Sequence, residues 1–490
     1  MEEDDKMSLA VFATILGVPA GAGLLNIVMG IHPRLRPMLM RFEKHLMILA
    51  NGVVMTVLAL LTPTILGGTV YTFPLGSMRL DRDILIPVLA TSVCFFLTSV
   101  YSFTMERGGR LSPHVYNFFA LMFLVCMLSL MLVNDLIITI LFVELVIAVS
   151  VVLVLHARGQ RGVEASFKYL VITAVSALFV ILGTMLIYVT TGTTIIEEYV
   201  AEPGPLRENT VLLLFIALCF IVGLGADIGL VPFHGWLPDS FPASTPVVNC
   251  LFAAEPISLF MALYKLVHPL FLISGNTSLS SVMVVIGLAT LLFGVTLAYS
   301  QSDSFRMIAY TTVEEFGYVT LVLGLFSSLS YVVAQVHLMA VAIGKLGILM
   351  CLGSVIFATG TADMTRLGGL GRRMPLTSAS YALSALSLAG MAPLVGFWTK
   401  YLVVGTVFNT FRVSLGLFPA LGVMLVQLAA AFTSFVILVR SYHSLFRGSL
   451  APGLENIVET NRAARLSTAL AAGLALALGL MPHLLFGVIS

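Results

Sequence analysis

Residues Gly223–Pro246 read GLGADIGLVPFHGWLPDSFPASTP. The segment sets an aspartate (Asp227), a histidine (His234) and helix-breaking prolines inside a near-continuous run of membrane-spanning sequence. A carboxylate in the hydrocarbon region costs several kcal/mol even on lenient insertion scales. A helix broken by Pro and Gly at that depth frees backbone groups that protein or water must satisfy. A chain that keeps both features in one place is expected to use them in an ion or substrate path.

The surrounding chain has 490 residues, 59% hydrophobic and 10% charged, with a mean hydropathy of +1.05. A soluble protein carries about 25% charged residues, so the composition excludes a soluble globular domain and implies an all-α polytopic membrane protein. The five cysteines, Cys94, Cys126, Cys219, Cys250 and Cys351, stand singly in apolar runs without CxxC spacing. That spacing argues against an iron–sulfur, zinc or dithiol site in this chain. The start, MEEDDKMSLA, is acidic where a signal peptide is basic, so the first apolar stretch is expected to be retained as a helix.

Apolar stretches of roughly 20 residues, the length that crosses a bilayer, can be marked off about fourteen times. They cover residues 7–29, 45–66, 84–105, 114–133, 135–156, 165–190, 210–233, 246–268, 279–300, 306–328, 331–358, 378–402, 415–440 and 467–488. The linkers are short and rich in helix breakers, as at Ile31–Pro37, Thr191–Asn209 and Ala451–Asn461. Lys and Arg collect after the odd-numbered stretches (Arg34, Arg36, Arg41, Lys44, Arg107, Arg110, Arg158, Arg161, Lys168, Arg306, Arg366, Arg372, Arg373, Arg440, Arg447, Arg462, Arg465). The opposite side holds Lys6, Arg79, Arg82, Arg207, Lys265 and Arg412 with an acidic loop of Glu197, Glu198, Glu202 and Glu208. By the positive-inside rule the odd loops are cytoplasmic and both termini outside, in a multi-pass protein of a prokaryotic inner membrane. Lys345 and Lys400 are then left without a loop.

The seventh stretch is interrupted around Gly223–Pro232 and the twelfth around LAGMAPLVGFWTK, Leu388–Lys400. Two breaks five helices apart suggest two five-helix repeats, and an odd repeat length inverts the second copy, as in many secondary transporters. The expected organisation is a three-helix segment (1–112), a first repeat (113–270), a second repeat (271–446) and a last helix (447–490).

Ionisable residues run through these helices. Glu144 sits mid-span in LIITILFVELVIAVSVVLVL, with no charge within eight residues; an intramembrane carboxylate is functional by default, although a satisfied structural one is the alternative. Asp227 and His234 are about two helical turns apart, on one face only if the helix runs through Pro232. His234 is either a proton-exchanging group or a hydrogen-bond donor to the broken backbone. Glu255 precedes Pro256, which in a helix frees a carbonyl and kinks the chain. Glu314 and Glu315 point about 100° apart, so one is expected in a cavity and the other against a neighbouring helix or the water-exposed end. His337 and Lys345 lie on one stripe about 12 Å apart along the axis. A lysine held in a low-dielectric site can relay protons or gate electrostatically; Lys400 has snorkelling as its alternative. Chains of acids and bases of this kind mark proton or cation pathways. No P-loop, GxGxxG, HExxH or bis-His haem pattern is present.

These stretches resemble the antiporter-like subunits of respiratory complex I, a family that also holds Mrp-type sodium/proton antiporter subunits and membrane arms of energy-converting hydrogenases. The resemblance rests on GLGADIGLVPFHGWLPDSFPASTPV, FVEL around Glu144, SFRMIAYTTVEEFGYV, VHLMAVAIGKLG and LAGMAPLVGFWTKY, in that family's order and spacing. It covers about helices four to thirteen, and the VEE form is more similar to the hydrogenase-type branch. The resemblance implies fourteen helices with two inverted repeats, working inside a larger redox-driven complex. It implies that Glu144 is the helix-five carboxylate that pairs with a helix-seven lysine, that Lys400 serves the exit half-channel, and that His337 and Lys345 lie on the central polar axis. Asp227 stands where members usually have the helix-seven lysine, and Glu255 where many have a helix-eight lysine. The first half is then expected to hold three carboxylates and no lysine; such groups share protons or a cation at neutral pH. The chain ends at Ser490, so the long lateral helix of some members is not expected.

Three functions follow as expectations. The first is an ion-translocating subunit (proton or sodium) of a redox-driven complex, with other membrane subunits, a peripheral redox arm and lipids as partners and no nucleic acid. It carries no cofactor itself, and iron–sulfur or metal centres are expected in partner subunits. The second is a subunit of a stand-alone Mrp-type antiporter, and the third a non-pumping scaffold.

Overall fold

A chain this apolar must satisfy its backbone polar groups internally, and helices do so within a single segment. The computed structural model describes residues 2–32, 36–73, 77–106 and 109–483, with side chains at all of these except 2–5 and 36–41. Arg34, Arg107 and Ser490, and the side chains of Arg36 and Arg41, lie outside the described residues.

The helices are α1 (Glu2–Phe12), α2 (Val18–Ile31), α3 (Arg36–Leu66), α4 (Arg82–Met105), α5 (Pro113–Leu132), α6 (Leu136–Leu155) and α7 (Gln160–Thr191). They continue with α8 (Ile196–Ala201), α9 (Pro205–Glu208), α10 (Thr210–Ile228), α11 (Leu237–Ala243), α12 (Pro246–Leu251), α13 (Glu255–Ser274) and α14 (Thr277–Tyr299). The last six are α15 (Ser304–Leu323), α16 (Ser328–Thr359), α17 (Pro375–Leu388), α18 (Val395–Ser414), α19 (Leu417–Phe446) and α20 (Arg462–Leu480). A π-turn at Ala13–Gly17 joins α1 to α2. A two-stranded antiparallel ribbon pairs Tyr71–Thr72 with Arg79–Leu80; the sequence reading gave no strand there.

Twelve helical segments among the described residues are long and apolar enough to cross a membrane, so the chain is a multi-pass membrane protein. The two other expected spans coincide with α15, which carries Arg306, Glu314 and Glu315, and with the interrupted pair α17–α18.

The breaks are sharper than the sequence implied. The expected span 210–233 is helical only to Ile228, because Gly229 turns the chain with φ +92° and Pro232 follows a cis peptide bond. Asp227 and His234 therefore share no helical face. The Val231 amide donates to Thr290 Oγ1 at 3.2 Å, satisfying one group freed by the break. The expected span 246–268 is split into α12 and α13. Pro256 lies in the first turn of α13, where a missing N–H costs nothing, so the helix is interrupted by the turn at 252–254 and not by a proline inside it. The twelfth span parts at Gly390 (φ +80°), with a second cis bond at Ala392–Pro393.

Contacts divide the chain into two units, residues 1–99, 108–228 and 254–279 in the first, and 100–107, 229–253 and 280–490 in the second. In the first, α5 packs on α2, α6 and α13, while α10 packs on α7 and α13. Lipid offers little hydrophobic drive between helices, so close backbone approach supplies the packing. At Gly223 of α10 an added Cβ would meet Val180 Cγ2 at 2.5 Å and Ser176 O at 3.0 Å. In the second unit α16 is the central helix, touching α12, α15, α17, α18 and α20. Asp303 caps α15 by accepting from the Arg306 amide at 2.9 Å, and Ser327 and Ser330 form a capping box on α16.

Candidate functional site

In the second unit, α15 is buried on every side, and only Arg306 and Tyr310 escape. Glu314 and Glu315 are accordingly both inside, at 0% and 1% exposure. Of the two expectations for the second glutamate, the water-exposed end is excluded by this burial, and the neighbouring helix remains.

Glu315 is held through both oxygens. Its Oε1 lies 2.9 Å from Lys400 Nζ and its Oε2 lies 3.2 Å from His337 Nε2. The other ring nitrogen, Nδ1, is 3.1 Å from Thr399 Oγ1. Lys400 sits over the Tyr318 ring at 5.0 Å, and Tyr318 donates to Gln427 O at 2.5 Å. The alternative of a snorkelling Lys400 is excluded by this burial and pairing. The broken helix positions it: the ideal Cβ of Gly390 would stand 2.9 Å from Lys400 Cδ, so the turn between α17 and α18 packs against the lysine stem.

Glu314 has the Ser434 hydroxyl, Lys400 and Glu315 as its polar surroundings. Gly294 of α14 lets that helix lie directly on the backbone at Glu314. Lys345 is buried on the uninterrupted α16, with Nζ 5.6 Å from the Phe316 ring centre and 6.0 Å from Phe241. His234 lies in the 3₁₀ turn before α11, its ring 6.3 Å from those of Phe293 and Tyr310. Tyr310 is one helical turn before Glu314 on α15.

The first unit places Glu144, Asp227 and Glu255 on α6, α10 and α13. Asp227 is fully buried, and neither of its oxygens meets a hydrogen-bond partner among the described residues. The groups acting on it are Ser176, Glu144 and Glu255. Glu144 is half-buried with Oε1 unpartnered. Glu255 accepts from Tyr169 Oη at 3.3 Å, and that hydroxyl accepts from Ser150 Oγ at 2.9 Å.

Sequence reasoning missed two features here. Tyr169, Thr173 and Ser176 form a polar stripe on the buried face of α7, a signal legible as small polar residues at helical spacing. Lys265, counted with the outer-side charges near the end of the expected span 246–268, lies well inside α13, part-buried, with Nζ donating to Met131 O at 2.9 Å and to Val133 O. The first half therefore does contain a lysine, one that closes the carbonyl end of α5. Lys44, Lys168 and Arg440 likewise sit within helices and not in loops.

Outside the two clusters, Arg306 of α15 grips the segment following His234, through Pro238 O at 3.1 Å and Asp239 at 2.5 Å. Among the described residues no group of three or more His, Cys, Asp or Glu could hold a metal ion.

A family profile described as "NADH:quinone oxidoreductase/Mrp antiporter, TM" matches residues 133–429, more than half of the chain. The chain is 34% identical over 254 residues to NADH-quinone oxidoreductase subunit N of Desulforudis audaxviator, covering 50% of each. It is 28% identical over 360 residues to Na(+)/H(+) antiporter subunit A1 of Staphylococcus epidermidis, covering 70% of this chain and 44% of that one. The alignments thus span about half the length of these curated relatives. The solved structure of the Mrp complex from Dietzia sp. DQ12-45-1b contains a chain that superposes with a TM-score of 0.86 at 21% identity, covering 99% of this chain and 96% of that one. At that identity the likeness shows the fold alone.

Proposed function

We propose, from the premise that this chain belongs to the NADH:quinone oxidoreductase/Mrp antiporter transmembrane family, that it is the ion-translocating subunit of a redox-driven membrane complex. The observation that carries the reading is the buried Lys400–Glu315–His337 cluster on three helices. Isolated charges in a low-dielectric interior are costly, and a base, an acid and an imidazole in contact can pass a proton without stranding one.

In this reading protons or sodium ions move along His234, Glu314, Glu315, His337, Lys345 and Lys400, while Glu144, Asp227 and Glu255 form the corresponding first-half station. Fourteen crossings and two inverted repeats, 113–270 and 271–446, fit this reading. It is supported by the matching breaks GLVP at 229–232 and GMAP at 390–393, each opened by a glycine with positive φ. The partners are other membrane subunits and a peripheral arm bearing iron–sulfur or metal centres. The setting is a prokaryotic inner membrane with both termini on the outer side.

The second reading, a subunit of a stand-alone Mrp-type antiporter, is favoured by the 28% identity to Na(+)/H(+) antiporter subunit A1, an alignment that covers 70% of this chain. Gentle purification of the native assembly separates the two. Co-purifying subunits with redox centres are expected; a stable, flux-competent assembly free of them would replace the first reading by the second.

A further inference from the structure

Helices α17 and α19 pack together, and the 3₁₀ turn Leu370–Arg372 lies against both. The Gly369 amide donates to Arg447 O at 2.8 Å, from a residue with φ +66°. The ideal Cβ of Gly371 would stand 2.7 Å from Phe446 O, so that loop can lie directly on the end of α19 only with glycine there. These contacts bring Arg372 and Arg447, both exposed, to one mouth.

Behind the mouth is a cavity of about 450 Å³ lined by Arg372, Pro375, Ser378, Tyr442, Phe446 and Arg447 among others. Its volume falls within the roughly 300–1,000 Å³ of ordinary ligand sites. Arg447 lies over the Tyr442 ring at 5.7 Å, and Tyr442 accepts from Ser378 Oγ at 3.3 Å. Tyr381, Tyr442 and Phe446 pack as an aromatic cluster, with ring centres 5.4 to 6.3 Å apart.

A second space of about 230 Å³ shares Tyr442 and Arg447 with the first and runs along the two helices. Ala382, Ala385, Ala389, Phe435, Leu438 and Val439 line it, and no further charged side chain does. One end of the continuous surface is therefore doubly cationic and the other is an aliphatic groove. Arg pairs with phosphate oxygens through its planar fork, and basic pockets between membrane helices hold anionic headgroups.

We propose that this mouth and groove bind one anionic phospholipid, its phosphate between Arg372 and Arg447 and an acyl chain along the alanine face of α17. The groove selects a lipid over free phosphate, which has nothing to place there. The two arginines select an anionic headgroup over a zwitterionic one.

The test is native mass spectrometry of the purified full chain with dioleoyl phosphatidylglycerol, dioleoyl phosphatidylcholine or inorganic phosphate added. Phosphatidylglycerol adducts should exceed phosphatidylcholine adducts, and millimolar-range phosphate should not displace them. R372Q and R447Q should each lower phosphatidylglycerol retention about fivefold, the scale of one arginine near an anionic surface. R373Q, the neighbouring exposed arginine that does not line the cavity, should leave it unchanged, and A382F should weaken retention by filling the groove. If R447Q does not fold, R372Q carries the same test from an exposed position. Equal retention by wild type and R372Q, an equal loss in R373Q, or displacement by phosphate alone each overturns the proposal.

Discussion

The two units hold their buried charges in opposite ways. In the second, Glu315 is matched oxygen by oxygen with Lys400 and His337. In the first, Asp227 is just as buried, and the charges acting on it are two more carboxylates. Lys265 of that unit is engaged with the carbonyls of Met131 and Val133. A matched cluster can exchange a proton internally. A cluster of acids stays in the membrane interior only by holding protons or by sharing a cation that arrives from outside. The same architecture thus supports two different electrostatic stations, and ion transfer is expected to depend on the second more steeply than on the first.

The comparison breaks most visibly at Lys400. Lys400→Met should lower ion flux by roughly 10²-fold, the scale on which a positioned proton-transfer group acts, as measured in proteoliposomes holding the assembled complex. Next comes the pair itself. Glu315→Gln removes the carboxylate in contact with Lys400, and breaking one partner of a buried pair costs about 3–5 kcal/mol. The Lys400→Met/Glu315→Gln double variant should regain thermal stability without regaining flux, and a double variant less stable than both singles would deny that the pair is coupled.

A smaller effect is expected in the first unit. Asp227→Asn with Glu255→Gln should reduce flux by on the order of tenfold if the acidic station is on the path. Unaltered flux there would make the first unit a scaffold. The smallest effect belongs to Lys265. Lys265→Met strands two carbonyls at the end of α5 and should cost about 1–3 kcal/mol, seen as an earlier unfolding midpoint with flux per folded complex preserved.

Much of this was legible in the sequence because membrane helices advertise themselves by length, and because Gly and Pro mark breaks with a local mechanism. The interruption after Ile228 and the one after Leu388 both follow from a glycine that turns the chain and a proline that cannot continue it. What the sequence left open were relations between helices. Consecutive glutamates diverge by about 100°, which separates them on a surface helix, yet α15 is enclosed on all sides and buries both. Lys265 reads as an outer-side charge at the end of the expected span 246–268 until α13 is seen to extend to Ser274. The Glu315–Lys400 contact joins residues far apart in sequence, and no spacing rule reaches that far. The hydroxyls of Tyr169 and Ser176 were within reach, since their seven-residue spacing on α7 was there to be counted.

The central claim is that Glu315, clasped between Lys400 and His337, is the group through which ions pass in the second unit. Its most direct test is ion flux through the assembled complex in sealed vesicles, compared between wild type and Glu315→Gln at equal amounts of folded complex. A loss of nearly all flux, with the Asp227→Asn variant retaining part of it, is the predicted result. Flux in Glu315→Gln equal to wild type would contradict the account.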